Sequence, residues 1–321
     1  MTDTPEASPS EHEHRERPFV LAIVGPTAVG KTDVAEEVAV RLGGEIVSAD
    51  SMQVYRGMDI GTAKPRPEER RVPYHCIDVA EPGEAYSAAR YQACARDAFH
   101  SIASAGRAPV LCGGTGLYVR AALDDWRFPF GEQVDNPVRE YYEAFEREQG
   151  PDALHELLAS RDPASAALIH PNNMRRVVRA LEMLDEGTSY AEHHEGFSAR
   201  ESVYPCAMIG LTMDRAELYR RIDARANVMV ERGLLGEVAG LLEAGFRDTL
   251  TAAQAIGYKE LVPVVEEGTP LDAALDDIKR ASRRYAKRQL TWFKADPRVR
   301  WIDVGGLDTA SAADLTMAAL D

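Results

Sequence analysis

Long hydrophobic runs are missing from this 321-residue chain, and nothing approaches the roughly 18 consecutive apolar residues of a membrane span. The N-terminus also lacks the basic-then-apolar order of a signal peptide, so a cytoplasmic protein is expected. Cysteine is scarce. Cys76, Cys94, Cys112 and Cys206 form no C-x-x-C pair, and no histidine cluster joins them at metal-ligand spacing. That argues against a zinc module or a disulfide framework and leaves small core residues in a reducing compartment. A positive surplus is absent too: 37 lysines and arginines face 52 acids, a formal net charge of −15. Such a balance favours solubility and opposes whole-surface attraction to nucleic acid or anionic lipid, so any polyanion must meet a local basic patch.

What is present is globular. A chain of this length with 45% hydrophobic residues can bury a sizeable core and carry a second, smaller domain. Residues 1–17 mix Pro, Ser, Glu and His and are too polar to offset their ordering entropy, which predicts a disordered tail with His12 and His14 solvated. From Phe19 to Val24 a short apolar run ends in Gly25, as a buried parallel strand does. Val34, Ala35, Val38, Ala39 and Leu42 then recur at helical spacing until Gly43-Gly44. The alternation repeats: residues 45–48 read as a strand, 87–105 as an Ala-rich helix and 109–112 as a strand entering Gly113-Gly114.

Between about residues 123 and 200 strand character lapses and helical patterns take over (141–148, 153–158, 174–184). It returns at 206–211, after which Asp214-x-x-Glu217 has capping-box spacing. With Gly25-x-x-x-x-Gly30-Lys31-Thr32 between the first strand and its helix, the chain is read as an α/β protein: a parallel sheet of the P-loop NTPase type flanked by helices, with an inserted small all-helical domain. The expected divisions are a core at 18–122 and 201–303, an insertion at 123–200, a last strand at 299–302 and a tail of little constraint at 304–321.

The sharpest motif is Gly25-Pro26-Thr27-Ala28-Val29-Gly30-Lys31-Thr32, which fits G-x-x-x-x-G-K-[ST] without mismatch between a strand and a helix. Glycines let backbone N–H groups form an anion nest, Lys31 neutralises phosphate oxygens and Thr32 is a candidate Mg²⁺ ligand. A nucleotide triphosphate is the default ligand, yet the strand 110–112 ends in Gly113-Gly114-Thr115 without the carboxylate a kinase or hydrolase usually supplies there. The well-placed acid is Asp50. Residue type alone leaves it open as a Mg²⁺ ligand or hydroxyl acceptor in a small kinase, as a general base, or as a turn cap.

The run Asp50-Ser51-Met52-Gln53-Val54-Tyr55-Arg56-Gly57-Met58-Asp59-Ile60-Gly61-Thr62-Ala63-Lys64-Pro65 resembles the signature of the tRNA dimethylallyltransferase (isopentenyltransferase) family. Residues 113–118 (GGTGLY), 175–182 (RRVVRALE), 254–260 (QAIGYKE) and 285–293 (YAKRQLTWF) resemble it further and in the same order, so the likeness spans about 20–292. The resemblance implies transfer of a dimethylallyl group from dimethylallyl diphosphate to N6 of the adenosine 3′ to the anticodon, in tRNAs reading codons that begin with U. The glycine loop would then hold a leaving diphosphate, with Mg²⁺ as cofactor through Thr32.

By the same resemblance Asp50 is the base for a weakly nucleophilic exocyclic amine, and Lys31 and Arg225 stabilise charge on the leaving group. Thr27 orients donor or amine. Ser51, Met52 and Gln53 meet a flipped-out target base, and Thr115 contacts tRNA. Arg175, Arg176 and Arg179 in the insertion, and the basic stretch Lys279 to Arg288, are candidate phosphate contacts for the anticodon stem-loop. Trp292 and Phe293 read as core. Two positions depart from the family pattern: Asn173 where Asp is general, and Tyr74 where His is frequent. A monomer without membrane contact is expected. The alternatives are an ATP-using small-molecule kinase, a prenyltransferase acting on free adenine nucleotides, and a nucleotide-dependent switch; the helical insertion and its arginines favour tRNA.

Overall fold

The computed structural model describes residues 17–126, 128, 136–198, 200–249 and 251–320; the expected N-terminal tail, with His12 and His14, lies outside them apart from Arg17. Among the described residues six strands form one parallel sheet: β1 (Val20–Val24), β2 (Glu45–Ser48), β3 (Tyr74–His75), β4 (Pro109–Gly113), β5 (Cys206–Thr212) and β6 (Val299–Asp303). Their order is β3-β2-β4-β1-β5-β6. The central strand β1 is buried along its whole length. Its side chains alternate between two cores, Val20, Ala22 and Val24 on one face and Leu21 and Ile23 on the other. Both faces must therefore be covered by helices.

Helix α1 (Lys31–Leu42) covers one face through Val34, Ala35, Val38 and Ala39. The other face is covered by α2 (Ala88–Ser104), capped by the Ser87 hydroxyl, and α3 (Gly116–Leu123). The chain then forms α4 (Pro137–Gln149), α5 (Pro151–Arg161), α6 (Pro163–Leu168), α7 (Met174–Asp185) and α8 (Tyr190–Ser198) before rejoining the sheet. Helices α4 to α7 bury their own core, which includes Leu154, Leu158, Val177 and Leu181. Where this group leaves and re-enters, Asp124 and Ser202 form an antiparallel bridge and the Val203 amide donates to the Leu123 carbonyl at 2.7 Å. Fully buried Asp124 clasps the junction, accepting from Arg120 Nε and Arg298 Nη1 at 2.6 Å each. Removing one member of such a buried ion set costs about 3–5 kcal/mol.

After β5 come α9 (Arg215–Glu231), α10 (Leu234–Glu243), α11 (Val262–Glu267) and α12 (Leu271–Lys294), and after β6 comes α13 (Thr309–Ala318). Asp214 caps α9 by accepting from the amides of Ala216 and Glu217. One strand goes unread in the sequence pattern, and two expectations need correction. The two-residue edge strand β3 is too short to stand out in an apolar pattern. The stretch expected as a loose C-terminal tail carries α13, whose Ala312, Ala313 and Thr316 are buried and whose Asp314 pairs with Arg41 of α1 at 2.6 Å. Small side chains give a close helix contact without a strong hydrophobic signature. Trp292, expected in the core, is 43% exposed, while its neighbour Phe293 is buried.

Candidate active site

The loop after β1 follows its motif. Gly30, the N-cap of α1, has φ 96°, a left-handed conformation that costs glycine nothing. Ala28 stands at φ 64°, where a Cβ does carry a cost, and such a mixture of left-handed residues is the backbone pattern of an anion nest. Thr27, Ala28, Gly30, Lys31 and Thr32 line a cavity of about 1000 Å³ at the C-terminal ends of the strands. Ligands of open α/β sheets bind there, against the N-terminus of the helix that follows.

Asp50, two residues beyond β2, and Arg225, on α9, reach the same cavity. The Met52 amide donates to Asp50 Oδ1 at 2.9 Å, a local turn that fixes the carboxylate. Lys31 Nζ donates to the Pro26 carbonyl at 2.6 Å. Burial lowers the Lys31 pKa to about 8, helped by the nearby Arg225 charge and opposed by Asp50. Burial lowers that of Arg225 as well, again opposed by Asp50. Cys112 also borders the cavity, and burial pushes its thiol up to about 12, so it stays neutral. Two desolvated cations thus line the same cavity as the Asp50 carboxylate, whose charge opposes the lowering of both.

The other expected residues distribute unevenly. Ser51 and Thr115 meet: the Ser51 amide donates to Thr115 Oγ1 at 3.1 Å and the hydroxyls lie 3.3 Å apart. Met52 is half-buried beside them. Gln53 is buried, accepting from the Ser48 hydroxyl at 2.8 Å and donating to the Thr62 carbonyl at 3.3 Å, so its amide is already engaged within the wall. Arg225 Nη2 reaches the same Thr62 carbonyl at 3.4 Å. Gly25, Pro26 and Val29 support the loop without lining the cavity.

Arg175, Arg176 and Arg179 do not line it either; they stand on α7. The first two are exposed. Arg179 Nη1 instead donates to buried Glu182 at 3.1 Å, which also accepts from Arg139. On α12, Arg280 and Arg283 pair with Asp277 and Asp223, while Arg284, Lys287 and Arg288 are exposed. Tyr74, one of the two departures, donates its hydroxyl to Glu36 at 2.9 Å.

Three residues of the site had no assigned role. Gln289 of α12 accepts the Thr27 amide at 2.8 Å and donates to the Gly114 carbonyl at 2.9 Å, joining the glycine loop to the end of β4. A Cβ at Gly114 would collide with this carboxamide, which explains the glycine there. Tyr285, one turn earlier, faces Thr115 and Gln289, and burial together with the Asp50 charge holds its hydroxyl up at about 12. Glu237 of α10 accepts the amides of Asp59, Ile60 and Gly61 and the Tyr258 hydroxyl at 2.6 Å, anchoring the 59–64 wall. The available signal was a buried polar side chain at i and i+4 among apolar ones, as in Gln289 between Tyr285 and Phe293.

Fold and loop together define a P-loop protein whose glycine loop and a fixed carboxylate line one cavity. Comparison with known proteins narrows the class. A family profile described as IPP transferase matches residues 53–296, and one described as isopentenyl transferase matches 18–77. The chain is 48% identical over 287 residues to a tRNA dimethylallyltransferase of Geobacillus thermodenitrificans, covering 89% of this chain and 90% of that one. It is 47% identical over 293 residues to the protein of the same name from Bacillus licheniformis, covering 91% and 92%.

Among solved structures it is similar to a full-length tRNA isopentenylpyrophosphate transferase from Bacillus halodurans (TM-score 0.69, 45% identity, 95% of this chain and 96% of that one). It is also similar to a eukaryotic dimethylallyltransferase described as acting on tRNA (TM-score 0.79, 27% identity, 94% and 79%). The chain belongs to the IPP transferase family.

Proposed function

We propose that this chain transfers a dimethylallyl group from dimethylallyl diphosphate to N6 of the adenosine immediately 3′ of the anticodon, in tRNAs reading codons that begin with U. The single observation that carries this reading is that Asp50 and the Lys31–Arg225 cation pair line one cavity beside the glycine loop. In that arrangement the C–O bond of the donor breaks toward the cations and the N–C bond forms toward the carboxylate. Asp50 takes the N6 proton as the amine is alkylated, which offsets the poor nucleophilicity of a conjugated amine. Lys31, Arg225 and the loop amides stabilise charge that grows on the departing diphosphate, and so favour the transition state over the ground state.

Mg²⁺ fits the donor set. The Thr32 hydroxyl stands at the cavity, and no group of three or more His, Cys, Asp or Glu among the described residues would hold a metal alone. A protein site that supplies one hydroxyl suits an ion held mainly by substrate phosphates and water. When bound, such an ion would neutralise diphosphate charge.

Thr27, held through its amide by Gln289, orients the donor. Gln53 acts through the cavity wall it braces, while Ser51, Met52 and Thr115, next to Asp50 and the end of β4 but off the cavity lining, meet the flipped base. Residues 123–200 are the insertion domain, and its exposed Arg175 and Arg176 contact the anticodon stem-loop as a local basic patch on an acidic protein. Among the described residues no helix is long and apolar enough to cross a membrane. A tRNA substrate supports action in the cytoplasm, and a monomer is the proposed state.

Incubation with dimethylallyl diphosphate, Mg²⁺ and unmodified tRNA, followed by nucleoside mass analysis, tests this reading. The expected product is a five-carbon adduct on the adenosine 3′ to the anticodon with release of diphosphate. ATP turnover without a base adduct, or alkylation of free adenine nucleotides in preference to tRNA, would replace it.

A further inference from the structure

Cys76, just after β3, and Cys94, in the second turn of α2, lie 18 positions apart in the chain yet bring their sulfurs to 3.1 Å. Both thiols are free. They border a second pocket of about 420 Å³, separate from the donor cavity and lined by His75, Cys76, Cys94 and Asp97 among others. Cys76 is buried and Cys94 half-buried, so a small reagent in the pocket meets Cys94 first. A disulfide needs about 2 Å between sulfurs, a closure of roughly 1 Å.

The geometry points to Cys94 and Cys76 as a peroxide-responsive thiol pair, Cys94 reacting first and Cys76 resolving it to a reversible disulfide. The Cys94 sulfur attacks one peroxide oxygen and the O–O bond breaks. That oxygen stays on sulfur as a sulfenic acid, and the other leaves as water with the thiol proton. Cys76 then attacks the Cys94 sulfur, and the sulfenic oxygen leaves as a second water with the Cys76 proton. Two thiols and one peroxide give one disulfide and two waters, and a small dithiol restores the pair.

The surroundings assign the two roles. Cys94 is held below the usual thiol range by hydrogen bonds from Cys76 and Tyr86 and by nearby His75, against partial burial and the Asp97 charge. Cys76 is pushed up by that same bond and by burial. Thiolate character makes the nucleophile, and the neighbouring thiol makes the resolver. Cys76 also holds φ 57°, a left-handed backbone unusual for cysteine, at the start of a segment tied to the donor site. Two residues on, the Asp78 amide donates to the Gln53 carbonyl, and its carboxylate grips Lys64 at 2.6 Å. Cys112, whose thiol burial keeps neutral, and Cys206 serve as internal controls.

The test uses the full-length protein, hydrogen peroxide, alkylation of remaining thiols after denaturation, and non-reducing peptide mapping. A Cys76–Cys94 cross-linked peptide that disappears with dithiothreitol is expected, with Cys112 and Cys206 alkylated. In Cys76→Ser, a 1,3-dione probe should label Cys94 as sulfenic acid; in Cys94→Ser, Cys76 should oxidise at least about tenfold more slowly. Alkylation of Cys94 should show a pH midpoint at least about one unit below the ordinary thiol value near 8.5. Absence of the cross-link, or a Cys94 midpoint no lower than that of Cys206 in the same protein, overturns the assignment.

Discussion

The Gln289 side chain accepts a hydrogen bond from the Thr27 amide at 2.8 Å, linking α12 to the glycine loop across 262 positions of sequence. The same carboxamide donates to Gly114, so one residue fixes the loop against the end of β4. Truncation in Gln289→Ala leaves a donor and an acceptor without their partner, each costing about 1–3 kcal/mol where water cannot replace it. The expected outcome is a lower Tm and at least about a tenfold rise in KM for the diphosphate donor, since 1.4 kcal/mol is a factor of ten. Gln289→Glu keeps the acceptor but adds negative charge beside the loop, so it should raise donor KM further than it lowers Tm. Thermal unfolding and steady-state kinetics on both variants check this; equal donor KM values in wild type and Gln289→Ala would remove the loop-positioning role.

Asp50→Asn keeps the size of the side chain and the acceptor for the Met52 amide while removing the carboxylate that takes a proton. A general base contributes about 10²–10⁴ in rate, so kcat should fall at least a hundredfold with donor and tRNA binding nearly unchanged. Single-turnover kinetics at saturating tRNA, paired with equilibrium binding, separate the two effects. Near-normal turnover would sink the base assignment.

Lys31 carries the sharpest pH prediction. Its pKa of about 8 lies below the ordinary 10.5, so the unfolded chain binds the proton more tightly than the folded one. The burial cost therefore acts in full below pH 8 and fades as pH rises toward 10.5. Lys31→Met should stabilise the free protein near neutral pH by on the order of 1 kcal/mol, the relief of burial being offset in part by the lost hydrogen bond to the Pro26 carbonyl. The same variant should lose most donor use, because the lost charge is the one that meets diphosphate. In the wild type, kcat/KM for the donor should fall above pH 8 as the ammonium deprotonates. Lys31→Arg should move that limb upward, and an unmoved limb would assign the titration elsewhere.

Local signals made the loop, its strand and its helix readable in sequence, because each is set by residues within a few positions of one another. Asp50 was legible as an acid at a strand end, and Arg225 only through family likeness, since a helix arginine carries no mark of the cavity it will reach. Glu237 was hidden for the opposite reason: its four partners come from residues 59–61 and from Tyr258, contacts that exist only after α10 has packed. Edge strand β3 and helix α13 escaped because two residues and a run of alanines give too little periodicity. The thiol pair escaped because cysteine spacing in sequence says nothing about sulfurs joined by a sheet edge and a helix.

The three arginines of α7 look alike in sequence but differ in surroundings, so they should respond differently to removal. Arg175 and Arg176 are exposed, whereas Arg179 and Arg139 both donate to Glu182, which is 1% exposed. Counter-ion release gives a salt slope of about 0.7–0.9 per phosphate contact, so the double variant Arg175→Ala/Arg176→Ala should flatten the slope for tRNA by about 1.5 with Tm unchanged. Arg179→Ala leaves Glu182 with Arg139 still in place, and should instead lower Tm by the loss of one buried charge-assisted bond, about 1.5–3 kcal/mol. Filter binding across salt concentrations and thermal unfolding, run on both variants, distinguish the roles. A salt slope that falls for Arg179→Ala and stays fixed for the double variant would move the RNA contact from the exposed turn of α7 to its ion-paired turn.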